Sequence, residues 1–112
     1  MKKIEAIIRR EKLRDVRRAL VSAGFFGITV YDVLGRGRQK GLDLQFRGRE
    51  YQVDLLPKTK VELLIDDKNV EKVIDLIVKN ATTGKVGDGK IAILPVDDIV
   101  RIRTTERGEE AV

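Results

Sequence analysis

The 112-residue sequence contains no cysteine and no histidine. The first absence excludes a disulfide framework and a thiolate metal site. The second removes the usual zinc ligand and the usual general base. Serine occurs once, at Ser22 within a stretch of helical periodicity, so no activated hydroxyl nucleophile is evident. Aromatic residues make up only 4% of the chain, and no predicted strand carries the paired aromatics on which nucleic-acid bases stack. No apolar run reaches the length of a signal peptide or a membrane span, which makes the cytoplasm the default expectation. These absences argue against an enzyme and for a binding protein.

What the chain has in abundance is charge. Charged residues account for 37% of it, with a net charge of +5, against roughly 25% in an average domain. Such a balance favours anionic partners, from nucleotides to nucleic acids or lipid head groups, without choosing among them. The apolar fraction of 42% is ordinary, and the length allows one domain with one modest core.

The chain repeats itself. Lys3-Ile4-Glu5-Ala6-Ile7-Ile8 recurs as Lys60-Val61-Glu62-Leu63-Leu64-Ile65, and Leu13, Val16 and Leu20 align in the same register with Val70, Val73 and Ile77. Each half opens on a β-branched strand and moves into apolar residues at helical spacing, predicting helices over roughly 11–23 and 68–79. The first buries Leu13, Val16, Leu20 and Ala23 opposite Arg14, Arg17 and Arg18. The second buries Val70, Val73, Ile74 and Ile77, with Asp67 as its expected N-cap. Further strands follow at 27–33 and 90–96, and a short one is expected at 99–103. Two βαβ units in tandem predict an α+β fold of the ferredoxin-like βαββαβ type, an antiparallel sheet with both helices on one face. Ile7 and Leu64 are apolar on the opposite face, so self-association through the open side of the sheet is the natural expectation.

Six of the ten glycines fall in two places, Gly35, Gly37 and Gly41, then Gly84, Gly87 and Gly89. The first group opens a connection, 35–58, that holds four glycines and six Lys or Arg. Most connections run about 4–6 residues, so a length of this kind points to function. The second group lies in Thr83-Gly84-Lys85-Val86-Gly87-Asp88-Gly89-Lys90-Ile91, which fits GxxxxGK. Ile91 stands where a P-loop needs Ser or Thr, and the order is helix to strand, so this is no P-loop. Its backbone N–H groups could cradle phosphate oxygens with Lys90 beside them, or it could be an ordinary turn. Arg101 and Arg103 alternate along the expected last strand, so both guanidinium groups should face one way and suit a phosphate. Gln39 offers a neutral amide oxygen acceptable to Mg²⁺ beside phosphates, and Lys58 and Arg9 flank the base of the same connection.

Taken together, GRGRQKG at 35–41, REYQVDLLPK at 49–58, TGKVGDGKI at 83–91 and RIRTTERG at 101–108 resemble the PII nitrogen-regulatory signal proteins over nearly the whole chain. The resemblance implies a homotrimer of ferredoxin-like subunits with nucleotide sites in the clefts between neighbours. It implies one PII-like domain over 1–112, with a T-loop at about 37–55 between strands 2 and 3 of the βαββαβ core, a B-loop at about 82–90 and a C-loop at about 101–109. ATP and ADP would compete for contacts at Thr29, Gly37, Arg38, Gln39, Leu64, Gly87, Asp88, Gly89, Lys90, Arg101 and Arg103. Mg²⁺ would be held by the triphosphate and Gln39, and 2-oxoglutarate by Arg9, Gln39, Lys40, Gly41, Lys58 and Gly87. The same resemblance makes Arg47 the contact with an ammonium transporter, Tyr51 the uridylylation site, and Lys40 with Glu62 a tether at the T-loop base. Arg49 replaces the Ser phosphorylated in other members, Thr82 replaces an Arg, and Thr105 replaces the usual Gly. The function implied is a regulator that senses ATP/ADP and 2-oxoglutarate and controls an ammonium transporter or nitrogen-metabolism enzymes, meeting a membrane only through a channel partner. The alternative is a ferredoxin-like nucleic-acid-binding module using the basic loop, which the scarcity of aromatics disfavours.

Overall fold

A computed structural model of the chain describes residues 1–37, 42–46, 49–53 and 55–112, with the backbone alone at 42–46 and 49–53. Its elements are β1 (Lys2–Ile8), α1 (Leu13–Ser22), β2 (Ile28–Gly35), β3 (Leu42–Phe46), β4 (Arg49–Val53), β5 (Leu56–Ile65), α2 (Val70–Ala81) and β6 (Lys90–Pro95). Four strands form one sheet in the order β2-β5-β1-β6, every neighbouring pair antiparallel. This is the ferredoxin-like arrangement that the repeated βαβ pattern predicts. The long connection contains a separate hairpin, β3 against β4, with Leu44 opposite Tyr51. The sequence reading did not anticipate it.

Strand periodicity builds the core. Ile4 lies opposite Leu63 and Ile93, and Ala6 opposite Val61 and Ile91, so these residues share one face. On that face Ile4, Ala6, Ile8, Val61, Leu63 and Ile65 are buried against Val16 and Leu20 of α1 and Val73, Ile77 and Ala81 of α2. Both helices therefore cover the same side.

Four local expectations are corrected. A 3₁₀ turn at Arg10–Lys12 precedes α1, and another at Asp67–Asn69 precedes α2. Asp67 is not the cap of α2: Asn69 holds that position without a side-chain cap bond and donates to Asp66 at 2.6 Å, while Asp67 accepts the N-terminal amine at 2.9 Å. Ile74 is only half-buried, and Leu76 packs against the core in its place. The segment 99–103 is not a strand. It makes one isolated bridge, Val100 with Arg107, and then turns: Thr105 N–H donates to the Arg101 carbonyl at 2.8 Å and Arg101 N–H to that of Glu106 at 2.9 Å.

The open face of the sheet is mixed rather than apolar. Leu64, Leu94 and Tyr31 are partly exposed there. Between them Lys3 pairs with Glu5 at 2.9 Å and Glu62 at 3.6 Å, and Lys60 pairs with Glu62 at 3.2 Å. Lys60 also lies 4.9 Å from the Tyr31 ring centre. Among the described residues, no helix is long and apolar enough to cross a membrane.

Candidate functional site

The turn between α2 and β6 is organised by one carboxylate. Asp88 accepts the Thr83 N–H at 2.8 Å, the Gly84 N–H at 2.9 Å, the Thr83 hydroxyl, and Arg9 Nε at 3.0 Å. The Thr83 bonds, hydroxyl first, followed by those from Arg9 and Gly84, hold its carboxyl well below the usual carboxylate range. Gly84, Gly87 and Gly89 all have positive φ. Gly89 is obligatory for a further reason: a Cβ there would lie 1.7 Å from the Ile7 carbonyl oxygen. The turn thus seats against the end of β1 only because that side chain is absent.

Two cations close on the same turn. Arg9, immediately after β1, donates through Nη2 to the Val86 carbonyl at 2.9 Å, and Lys58 near the start of β5 donates to the Gly87 carbonyl at 2.7 Å. Burial first, and then the Arg9 charge, lower the Lys58 pKa from the ordinary lysine value. Gly35, at the end of β2, packs its backbone beside Lys58, with Gly37 just beyond. Arg10, Asp32, Val33, Leu34, Pro57 and Lys58 line an adjoining cleft of about 250 Å³. The N–H groups of Val86 and Gly87, the Lys90 ammonium and Arg9 Nη1 have no hydrogen-bond or ionic partner among the described residues. One end of the sheet therefore gathers Arg9, Lys58, Gly87, Asp88, Gly89 and Lys90.

The remaining expected contacts lie at the other end. Thr29 pairs with Glu62, and Leu64 with Lys3, which is itself opposite Leu94. From Lys58 to Leu64 along β5 is about 20 Å. The C-terminal segment leaves β6 at this far end, where Val96 N–H donates to the Met1 carbonyl. Since 99–103 is a turn and not a strand, Arg101 and Arg103 do not share a face by alternation. Arg101 Nη1 is bound to Glu106 at 3.0 Å and Nη2 to the Glu110 carbonyl at 3.2 Å, whereas Arg103 is exposed with no partner among the described residues. The segment that carries Arg101 and Arg103 thus departs from the end of the sheet opposite the glycine turn.

Arg38, Gln39, Lys40, Gly41 and Arg47 lie outside the described residues. So does the side chain of Tyr51, whose backbone belongs to β4. Glu62, the expected tether of Lys40, here serves Lys3, Lys60 and the Tyr31 hydroxyl. No group of three or more acidic side chains among the described residues could hold a metal ion.

The sequence profile of the family described as nitrogen regulatory protein P-II matches residues 1–106. The chain belongs to the P-II family. It is similar to nitrogen regulatory protein P-II 2 of Methanothermobacter thermautotrophicus, 56% identical over 112 residues, covering all of this chain and 97% of that protein. It is 54% identical to the P-II proteins of Nostoc punctiforme and of Synechocystis sp., with both chains covered completely in each case. A nitrogen-regulatory signal protein is accordingly what this P-II sequence encodes. Within it, sequence reasoning missed Thr83 as an anchor of the glycine turn and Glu106 as the partner of Arg101. The spacing of Thr83 and Asp88 across Gly84-Lys85-Val86-Gly87, and of Arg101 and Glu106 across Ile102-Arg103-Thr104-Thr105, was the available signal.

Proposed function

We propose that this P-II protein is a non-catalytic sensor of ATP, ADP and 2-oxoglutarate that acts as a cytoplasmic homotrimer. Its output is control of partner proteins, an ammonium transporter first among them, through the T-loop at 37–55. What carries the reading is the separation of the donor sets. Lys90 and the N–H groups of 86 and 87 lie at one end of the sheet, whereas Leu64, and the C-terminal segment that carries Arg101 and Arg103, start from the other. A cleft between two copies would let one nucleotide draw on both, and a polyphosphate is an anion that suits such donors.

The metabolite arm follows from the same end. A dicarboxylate has Arg9 Nη1, the Lys58 ammonium and the Gly87 backbone within one neighbourhood, with Gln39, Lys40 and Gly41 as the further contacts. Mg²⁺ would be held by the triphosphate and Gln39, linking the two ligands. Both cations also grip the glycine turn, so a ligand drawing on them acts on that turn as well. Arg47 would anchor the transporter and Tyr51 would be the modified residue. Linkage makes any partner that prefers the ADP state raise ADP affinity by the same factor, for a coupling of ~1–3 kcal/mol per site.

Calorimetric titration with Mg-ATP, then with 2-oxoglutarate into the ATP-loaded protein, tests this. One ATP per chain, and 2-oxoglutarate binding only with Mg-ATP present, is the expected result. ATP binding without a 2-oxoglutarate response would leave an adenylate sensor and strip Gln39 and Lys58 of their roles. No nucleotide binding would return the basic loop to the nucleic-acid alternative.

A further inference from the structure

We infer that Glu106 sets the nucleotide affinity of this protein by competing with phosphate for Arg101. The inference rests on the reading of Arg101 as a phosphate ligand. In the structure that guanidinium is already committed: Nη1 donates to Glu106 Oε1 at 3.0 Å and Nη2 to the Glu110 carbonyl at 3.2 Å. A carboxylate in contact neutralises the charge that an incoming phosphate would use and takes one arm of the fork that a phosphate would engage with two. Arg103, two residues on, carries no such guard among the described residues.

The geometry makes the contact exchangeable. Both side chains are 39% exposed, so the pair is reached from solvent and is weakly held. It closes a tight turn in which Arg101 N–H donates to the Glu106 carbonyl and Thr105 N–H to the Arg101 carbonyl, and Thr105 sits at φ 60°. The base of the segment is pinned separately. Arg107 Nη2 donates to Asp98 at 2.5 Å and Nε at 2.8 Å, and the Ile99 and Gly108 N–H groups bind the same carboxylate at 2.9 and 3.1 Å. Moving Arg101 from Glu106 to a phosphate therefore disturbs the turn at 101–106 and spares the Asp98 anchor. Glu106 is a positioning and affinity-setting residue, with no contact to the nucleotide required.

The test is Mg-ATP titration of the full chain and of Glu106→Gln. The amide keeps the shape and removes the charge, and affinity should rise about 2–5-fold, the range spanned by an exposed ion pair. In an Arg101→Gln background, which retains Arg103 and Lys90, the same substitution should have no effect, because nothing is left to compete for. Asp98→Asn loosens the base of the tail without touching the pair, and should leave affinity unchanged within twofold. Should Glu106→Gln fail to fold, Glu106→Asp, one methylene too short to keep the 3.0 Å contact, should show a smaller rise. Unchanged or weakened ATP binding in the Glu106 variants would overturn the inference while the nucleotide reading stands. Equal gains from Asp98→Asn would also overturn it, assigning the effect to tail loosening. If the unmodified chain binds no Mg-ATP, it is the nucleotide reading that fails, and the competition falls with it.

Discussion

Thr105 holds a backbone conformation that its side chain opposes. Its φ of 60° is the sole positive value at a non-glycine among the described residues. A β-branched residue pays roughly 1–3 kcal/mol there. Thr105→Gly should raise unfolding stability by about 1 kcal/mol, the relief of strain less the extra freedom of glycine in the unfolded chain; chemical denaturation measures it. Asp88 makes the second prediction at this scale. Its pKa is lower folded than unfolded, chiefly through the Thr83 bonds, so the unfolded state binds the proton more readily. The stabilisation from Asp88 is therefore present above an unfolded carboxylate pKa of ~3.9 and is lost as pH falls from there towards its folded value. Asp88→Asn should be less stable than the unsubstituted chain near neutrality, with the two unfolding curves converging in acid. A constant gap down to the lowest pH would show that the charge is not what holds the turn. Asp88 and Gly89 were legible in sequence as members of a glycine turn, but the carboxylate's work as an internal ligand was not, because its donors come from Thr83, Gly84 and the distant Arg9.

At the level of elements, the repeated pattern of β-branched strand and amphipathic helix was enough to read both βαβ units. Helix ends were less legible, since they turn on single backbone bonds. The α1 terminus shows why. Phe25 N–H donates to the Leu20 carbonyl at 2.9 Å and Gly24 N–H to that of Val21 at 3.0 Å, with Gly24 at φ 94° and Phe25 packed onto the core. This is a Schellman closure, in which the left-handed residue follows the last helical turn. A Cβ at Gly24 would meet nothing within 4 Å, so Gly24→Ala should cost about 1–2 kcal/mol from conformation alone. Leu20→Ala, by contrast, empties a fully buried position between the helices and the sheet, and should cost roughly 2–5 kcal/mol. Thermal unfolding of the two variants separates a backbone cost from a cavity cost. The expected strand at 99–103 failed on the same ground as the Asp67 cap. Alternating Ile-Val-Arg-Ile-Arg satisfies strand periodicity, yet a strand needs a neighbour with free backbone groups, and here the segment folds back on Glu106 instead.

For the whole molecule, the consequential fact is that Lys90 lies at one end of the sheet, while the segment carrying Arg101 and Arg103 leaves β6 at the other. In the proposed homotrimer each nucleotide site takes one set from each of two neighbours, which subunit mixing can test. A Lys90→Met variant and an Arg101→Gln, Arg103→Gln variant should each bind ATP at least tenfold more weakly than the unsubstituted chain. Refolded together at equal amounts, they should recover about a quarter of the sites, since random assembly places two intact halves side by side that often. No recovery would place both sets in one copy's site. The open face, with Leu64, Leu94 and Tyr31 around the Lys3, Glu5, Lys60 and Glu62 cluster, is a suitable but not purely apolar contact surface for such neighbours. Family and fold class were readable in the linear chain, because periodicity and motif spacing are local properties. Which groups meet was settled only on folding. Strand pairing carries Arg9 to the glycine turn and sends the C-terminal segment to the far end of the sheet, and chain reversal after Val100 gives Arg101 a carboxylate partner before any ligand arrives. Contacts between residues distant in sequence depend on register and direction, which no run of neighbouring letters encodes.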